Sequence, residues 1–315
     1  MGYSKHEHAL VETSCVGDGT RISAFAHVMA GARIGRDCRI LGHTFIEDDV
    51  VLGDRVTVQS GVQLCGGITV EDDVFIGPNA TFTSDTFPGS SGRPGQLART
   101  IIRKGASIGA NATILPALVI GESSVIAAGA VVTHNVPRNA VVVGNPARIT
   151  GYAGMSGQPA FETPPAHQAG SYPAEVNGVV LHRLPLIDDI RGLLSFGEFE
   201  RNIPFQVKRY FLVFGVTGEH IRGEHAHKTL HQFLVCVHGR CNVVADDGKH
   251  RQEFILDSPS TGIYIPPMVW AMQYKYSADA VLLVLASDFY DPDDYVRDYK
   301  QFLALCAEGE CAPAA

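Results

Sequence analysis

Apolar residues return at every sixth position over the first half of the chain: Val16, Ile22, Val28, Ile34, Ile40, Ile46, Leu52, Val58, Leu64, Val70, Ile76 and Phe82. The phase breaks for about twenty residues and resumes at Ile102, Ile108, Ile114, Ile120, Ile126 and Val132. Neither an α-helix nor an ordinary strand repeats at six. The position four after each apolar residue is small or branched (Val50, Val56, Val62, Ile68, Val74, Ala80). This is the hexapeptide pattern of a parallel β-helix, in which stacked coils share one continuous core. Three hexads make a triangular coil, so twelve before the break and six after it predict about six coils.

Beyond residue 152 the pattern changes twice. Residues 153–174 are rich in Gly, Pro, Ala and Ser without periodicity, and Pro164 and Pro165 make this a partly extended linker. From 175 onward the period is two. VKRYFLVFGV, QFLVCVHG, CNVVADDGKH, HRQEFIL, GIYIPP and AVLLVLAS read as short strands, and Asp246-Asp247-Gly248 reads as a hairpin turn. Turns at about ten-residue spacing predict a sandwich or barrel. The chain is thus expected to be all-β, with domains at 1–152 and 175–315.

The 315 residues suffice for two cores, and 45 % hydrophobic with 18 % charged residues is ordinary for soluble protein. A net charge of −8 argues against a general nucleic-acid surface. No apolar run reaches the roughly 18 residues of a membrane span, and MGYSKHEHAL lacks signal-peptide character, so a cytoplasmic location without membrane attachment is expected. The seven cysteines are scattered and lack C-x-x-C spacing, which predicts buried free thiols.

A β-helix is often only a scaffold, so the interruption FTSDTFPGSSGRPGQLART between Phe82 and Ile102 draws attention as a long loop on a monotonous prism. VFIGPNATFTSD at 74–85, the ladder itself and AGAVVTHNVPRNAVVVGNPARI at 128–149 resemble the hexapeptide-repeat acyltransferases, more narrowly the sugar N-acetyltransferases. The resemblance implies a left-handed prism that trimerises, with acetyl-CoA in the groove between two prisms. It places coenzyme contacts at Ala128, Gly129, Asn145 and Arg148, with Arg103 and Lys104 toward phosphate and His134 as a groove residue. Acetylation of an amine needs a carboxylate to orient it and accept charge; Asp85 is the candidate, with Ser84 beside it. Where nucleotide-sugar acetyltransferases carry T-N-D and P-R-S, this chain has TSD and PGS. His27 and His43 read as turn residues.

In the second half, chemistry concentrates in RGEHAHKTLHQFLVCVHG at 222–239. His225 and His227 are two apart, so on a strand both face one side. H-x-H, then Gln232, then Gly239 follows the first cupin motif with Gln in place of the usual metal-binding Glu, and IPPMVWAMQY supplies no third histidine. That donor set is poor for iron, manganese or zinc, so no metal is expected. Two imidazoles without a metal point to proton transfer.

FQVKRYFLVFGV, RGEHAHK, LHQFLVCVHG, IPPMVWAMQYKYS and VLLVLASDFYDPDDYVRDYKQF resemble the WxcM-like cupins, which are dTDP-4-keto-6-deoxyhexose 3,4-ketoisomerases. A hexapeptide domain ahead of such a cupin matches the bifunctional members of that family. The resemblance implies that His225 and His227 carry the proton traffic. It also implies that Arg209, Arg222 and Lys228 hold a nucleotide diphosphate, and that Tyr210, Gln232, Trp270 and Gln273 shape the substrate pocket. Prism trimers and cupin dimers together imply a hexamer of D3 type. The rival readings are a metal-dependent cupin oxygenase or epimerase, and a non-catalytic sugar-nucleotide-binding scaffold.

Overall fold

The computed structural model describes residues 2–84, 99–153, 161, 169–216 and 220–308. Asp85, the remainder of the long loop and most of the linker, including Pro164 and Pro165, lie outside the described residues. The chain divides into two compact units, Met1–Ser156 and Gly157–Ala315.

In the first unit the six-residue period becomes three parallel sheets. Strands of two or three residues alternate with turns, and each strand pairs with the one a full coil later. Arg21–Ile22 pairs with Arg39–Ile40, which pairs with Thr57–Val58, which pairs with Phe75–Ile76. Each of these steps is 18 residues. The next joins Phe75 to Ser107, 32 residues on, because the long loop is inserted without breaking the register. Ile40, Ile46, Leu64, Ile76, Ile102, Ile108, Ile114 and Ile120 are fully buried on the axis. Each such side chain contributes about 1.5–3 kcal/mol relative to exposure.

The ladder is longer than the six coils expected, since one sheet carries eight parallel rungs from Ser4–Lys5 to Ala140–Val143. The extra rungs at the start are silent in the hydrophobic pattern because Ala9 and Thr13 fill the inward positions there. At the far end Arg148–Tyr152 folds back antiparallel on Ala140–Val143 and ends the stack.

The second unit is a barrel-like pair of antiparallel sheets. One has six strands, in the order Gly170–Pro173, Val180–Arg183, Thr261–Ile265, Gln232–His238, Val281–Ala286 and Arg209–Phe214. The other has five: Arg251–Leu256, Cys241–Asp246, Trp270–Tyr274, Arg222–His227 and Tyr295–Val296. All six segments with period two form strands, and the alternation is direct in Val281–Ala286, where every second residue is buried. Leu181, Leu234, Val243, Phe254, Ile263 and Leu282 fill the space between the sheets.

One α-helix, Tyr299–Ala307, escapes the period-two reading. Asp298 caps it, accepting from Gln301 N at 2.8 Å. Tyr299 and Phe302 lie one turn apart and pack on Trp270 at ring distances of 5.1 and 5.7 Å. Cys15, Cys38, Cys65, Cys236 and Cys241 are free, but Cys306 on this helix is disulfide-bonded, which departs from the expected free thiols. Cys15 is exposed rather than buried because it lies at an outward position of the ladder, next to Val16. Among the described residues no helix is long and apolar enough to cross a membrane.

Candidate active site

The strand Arg222–His227 carries a bulge between Gly223 and His225, with Glu224 at φ +56° and Gly223 at φ +84°. A Cβ on Gly223 would lie 2.7 Å from the Ala271 carbonyl oxygen, so only glycine fits. The bulge aims the Gly223 carbonyl at His225, whose Nδ1 lies 2.9 Å away. A carbonyl only accepts, so Nδ1 of His225 carries hydrogen, and its Nε2 is bare when the ring is neutral.

Beyond the bulge His225 and His227 share the inward face, with their Nε2 atoms 3.2 Å apart and rings at 87°. His227 Nδ1 meets Asp294 Oδ2 at 2.8 Å. Asp294 sits on the short 3-10 turn Pro292–Asp294, and its Oδ1 accepts from Thr229 N at 2.7 Å and Thr229 Oγ1 at 2.8 Å. Tyr295 follows, and its ring lies 4.4 Å from that of His227 and 4.8 Å from that of His225. Gln232, on the facing sheet, places its amide nitrogen 3.3 Å from His227 Nε2. Asp294, His227 and His225 thus form a line.

The electrostatics keep both rings neutral. Burial pushes the His227 pKa down to about 4, helped by His225 and opposed by Asp294. His225 is also lowered, chiefly by burial and further by Arg297, against the Gly223 hydrogen bond. Burial works against the charge on Asp294, yet the bonds from Thr229 and His227 outweigh it and hold that carboxyl below the ordinary range. Burial raises the Glu224 carboxyl.

A cavity of about 350 Å³ opens on this line; His225, Gln232, Arg222, Gln273 and Tyr295 contribute to its wall, together with the strand Phe211–Phe214. His227 lies behind His225 and is 5 % exposed. Arg209 is on the same inward face, because Arg209, Ala286 and Gln232 stand in one row across three strands. Its Nε is buried without a hydrogen-bond partner among the described residues, and its guanidinium lies 5.7 Å from the Phe211 ring and 5.6 Å from that of Tyr290.

Other expected pocket residues stand elsewhere. Tyr210 alternates to the outer face and is exposed, since its neighbour Arg209 points inward. Trp270 is buried between its sheet and the helix. Lys228 turns its Nζ to the Asp293 carbonyl at 2.8 Å and braces the turn that carries Asp294. Asp294 and Tyr295 were missed as site residues; DPDDY was visible only as part of a family-like stretch, because its partner in space lies 67 residues earlier.

His227 and His225 turn their Nε2 atoms to each other and, for His227, to the Gln232 amide, with Gln232 where a carboxylate would complete a ligand set. Among the described residues no group of three or more His, Cys, Asp or Glu is arranged to hold a metal ion.

On the prism, Ala128 and Gly129 form an exposed corner with Gly129 at φ +72° and open space beside it. The turn holding Asn145 lies close by, since Gly144 O accepts from Val131 N at 2.9 Å and Ala147 N donates to Val131 O at 2.8 Å. Arg148 follows on the same returning strand. His134 stands exposed at the next corner, with Nδ1 2.9 Å from Thr133 Oγ1. Ser84 is the last described residue before the long loop, and Asp85 lies outside the described residues. Arg103 and Lys104 occupy the third corner, where Glu71 accepts from Arg103 at 2.6 Å and from Lys104 N at 2.9 Å. The prism therefore gathers Ala128, Gly129, Asn145 and Arg148, and leaves Arg103 and Lys104 apart.

Comparison with known proteins agrees with this division. Residues 177–307 match the family model "WxcM-like, C-terminal", and residues 99–134 and 43–71 match two hexapeptide-repeat models, of bacterial transferases and of succinyl-transferase. A TDP-4-oxo-6-deoxy-alpha-D-glucose-3,4-oxoisomerase of Aneurinibacillus thermoaerophilus is 50 % identical over 122 residues, 39 % of this chain and 88 % of that protein. A dTDP-3-amino-3,6-dideoxy-alpha-D-galactopyranose 3-N-acetyltransferase of the same organism is 50 % identical over 147 residues, 47 % of this chain and 77 % of that protein. Among solved structures, a 3,4-ketoisomerase from Helicobacter canadensis is 36 % identical, covering 41 % of this chain and 98 % of its own, with TM-score 0.40. By the two Aneurinibacillus thermoaerophilus relatives the chain belongs, through its second unit, to the WxcM-like family of sugar-nucleotide oxoisomerases and, through its first, to the hexapeptide-repeat N-acetyltransferases.

Proposed function

We propose that the chain is a bifunctional enzyme of dTDP-sugar biosynthesis. The second unit converts dTDP-4-keto-6-deoxyglucose to its 3-keto isomer. The first acetylates a dTDP-3-amino-3,6-dideoxyhexose with acetyl-CoA. The single observation that carries the isomerase is the Asp294, His227, His225 line ending at a cavity.

Isomerisation breaks the C3–H bond, and the bare Nε2 of His225 takes the proton. O4 gains a proton as C3 and C4 become an enediol. The C3 hydroxyl then loses its proton to form the new carbonyl while C4 receives one. His225 gains positive charge when it accepts the proton, and His227 faces it with a lone pair backed by the Asp294 carboxylate. Arg222 and Arg209 offer guanidinium groups to the diphosphate, and Gln273 lies at the sugar. In the acetyl transfer, Asp85 and Ser84 meet the amine. The thioester carbonyl passes its acetyl group to nitrogen, the thiol leaves, and the carboxylate accepts the proton. Ala128, Gly129, Asn145 and Arg148 lie along the coenzyme, with His134 at the groove. An aminotransfer reaction is required between the two steps, since a 3-ketone must become a 3-amine.

The boundaries 1–152, 153–174 and 175–315 and a cytoplasmic location belong to this reading, as does a hexamer of prism trimers and barrel dimers. The second unit exposes Ile190, Leu193, Leu194, Phe199, Tyr210 and Phe214, more apolar surface than a lone barrel needs. A solution mass of six 33.8 kDa chains is expected; three would remove the hexamer.

Incubation with dTDP-4-keto-6-deoxyglucose in deuterated water tests the isomerase directly. NMR should find the carbonyl carbon at C3 and deuterium at C4. A recovered substrate without exchange would refute it. Thiol release from acetyl-CoA that depends on the aminosugar nucleotide tests the other half, and its absence would favour the scaffold reading.

A further inference from the structure

The proton-transfer line has a lateral contact that the isomerase reading does not use. We propose that Gln232 is a positioning residue that keeps hydrogen on Nδ1 of His227 and leaves Nε2 of that ring as an acceptor. The inference rests on the isomerase reading only where it concerns turnover; the ring's hydrogen can be observed without substrate.

An imidazole that is neutral carries one hydrogen, and its two nitrogens must divide it according to their neighbours. At Nδ1 the neighbour is the Asp294 carboxylate at 2.8 Å, which can only accept. At Nε2 there are two neighbours. Nε2 of His225 is 3.2 Å away and bare, because that ring has committed its hydrogen to Gly223. The Gln232 amide nitrogen is 3.3 Å away and can only donate. Without Gln232, two bare lone pairs would face each other, and His227 would gain by moving its hydrogen to Nε2 or by taking a second one. The amide fills the lone pair with a hydrogen that is not an acid. The rings are left empty to receive the substrate proton.

The amide is well placed to do this. Gln232 starts the strand Gln232–His238 between two partners, Ile265 and Ala286, and is 8 % exposed. At 3.3 Å the bond is long and weak. When His225 becomes charged, its Nε2–H can replace the amide at the same lone pair with little loss. A carboxylate at this position would do the opposite, since it would demand hydrogen on Nε2. The other charged groups acting on the pair are Asp294 and Arg209 on His227, and Arg297 and Asp294 on His225. None of them offers a neutral donor to His227 Nε2.

The test is 15N NMR of the full-length protein labelled at its histidine rings, without substrate. At neutral pH His227 should show a protonated Nδ1 and a bare Nε2. Gln232→Leu should weaken that preference and move the ring's titration upward. Gln232→Glu should put hydrogen on Nε2 and move the titration further. Turnover of the keto sugar should fall about tenfold in Gln232→Leu, mainly in kcat, with the acid limb of the pH profile following the ring. A bare Nδ1 in the native protein would overturn the inference, and so would unchanged His227 titration in both variants while their melting temperatures match the native one. If the ring behaves as stated but the native protein moves no carbonyl, the isomerase reading fails and the role of Gln232 stands.

Discussion

The prism and the barrel spend their interiors differently. Along the axis of the prism most inward positions are Ile, Val, Leu or Ala, and apart from the buried Cys38 and Tyr152 its titratable side chains stand mainly at the corners and outer faces. The barrel admits His227, Gln232 and Gln273 among its buried residues, and each is tied to a partner or to the cavity. A stack of identical coils gains stability by repetition and has no inner position at which one residue can differ cheaply. Any chemistry it carries must then sit on the outside, where corners of several coils meet. Two facing sheets have sides and ends that differ, so a polar line can be built inside and closed within one chain.

That contrast can be broken most sharply at the imidazoles. His225→Ala or His227→Ala should lower carbonyl isomerisation by about 10²–10⁴-fold while acetyl transfer stays at its native rate. Equal loss of both rates would show that the two interiors are not independent. Asp294→Asn keeps shape but removes the charge behind His227; it should cost about 10²-fold in kcat, with KM nearly unchanged, in steady-state assays.

A change in the prism should act on stability instead. Ile108→Ala empties a fully buried axial position and should destabilise the first unit by about 2–5 kcal/mol, read by chemical denaturation, with isomerase activity retained below the transition.

A more gradual effect should come from pH. His182 and His227 are buried with pKa values lowered to about 4 from an ordinary 6.5. Between those values the unfolded chain binds more protons than the folded one. Stability of the second unit should therefore fall as pH drops from about 6.5 to 4, by about 1 kcal/mol per unit for each ring, and level off below. Melting of the His182→Phe protein should be less sensitive over that window.

These two interiors were also unequally legible. The six-residue period gave the prism because each inward residue repeats one role; it missed Ser4–Lys5 and Leu10–Val11, where Ala9 and Thr13 occupy the axis. In the barrel, H-x-H named the two rings that pair beside the cavity, since a strand turns alternate residues to one side. Asp294 and the amide of Gln232 as a hydrogen donor were not legible. Both depend on which nitrogen faces which neighbour, and that is decided by pairing between distant strands. Tyr210 and Trp270 stand away from the cavity for a related reason: their types suit a pocket, but strand parity sends them to the other face.

The C-terminal helix has a consequence for how this protein should be handled. Tyr299 donates to Asp246 at 2.7 Å, and Arg251 joins the same carboxylate, so the helix is clamped to the outer side of the strand Trp270–Tyr274. The inner side of that strand presents Gln273 to the cavity. A single layer of backbone separates clamp from cavity. A shortened chain lacking these last turns would lose the brace behind that wall, and an affinity tag is better carried at the opposite terminus.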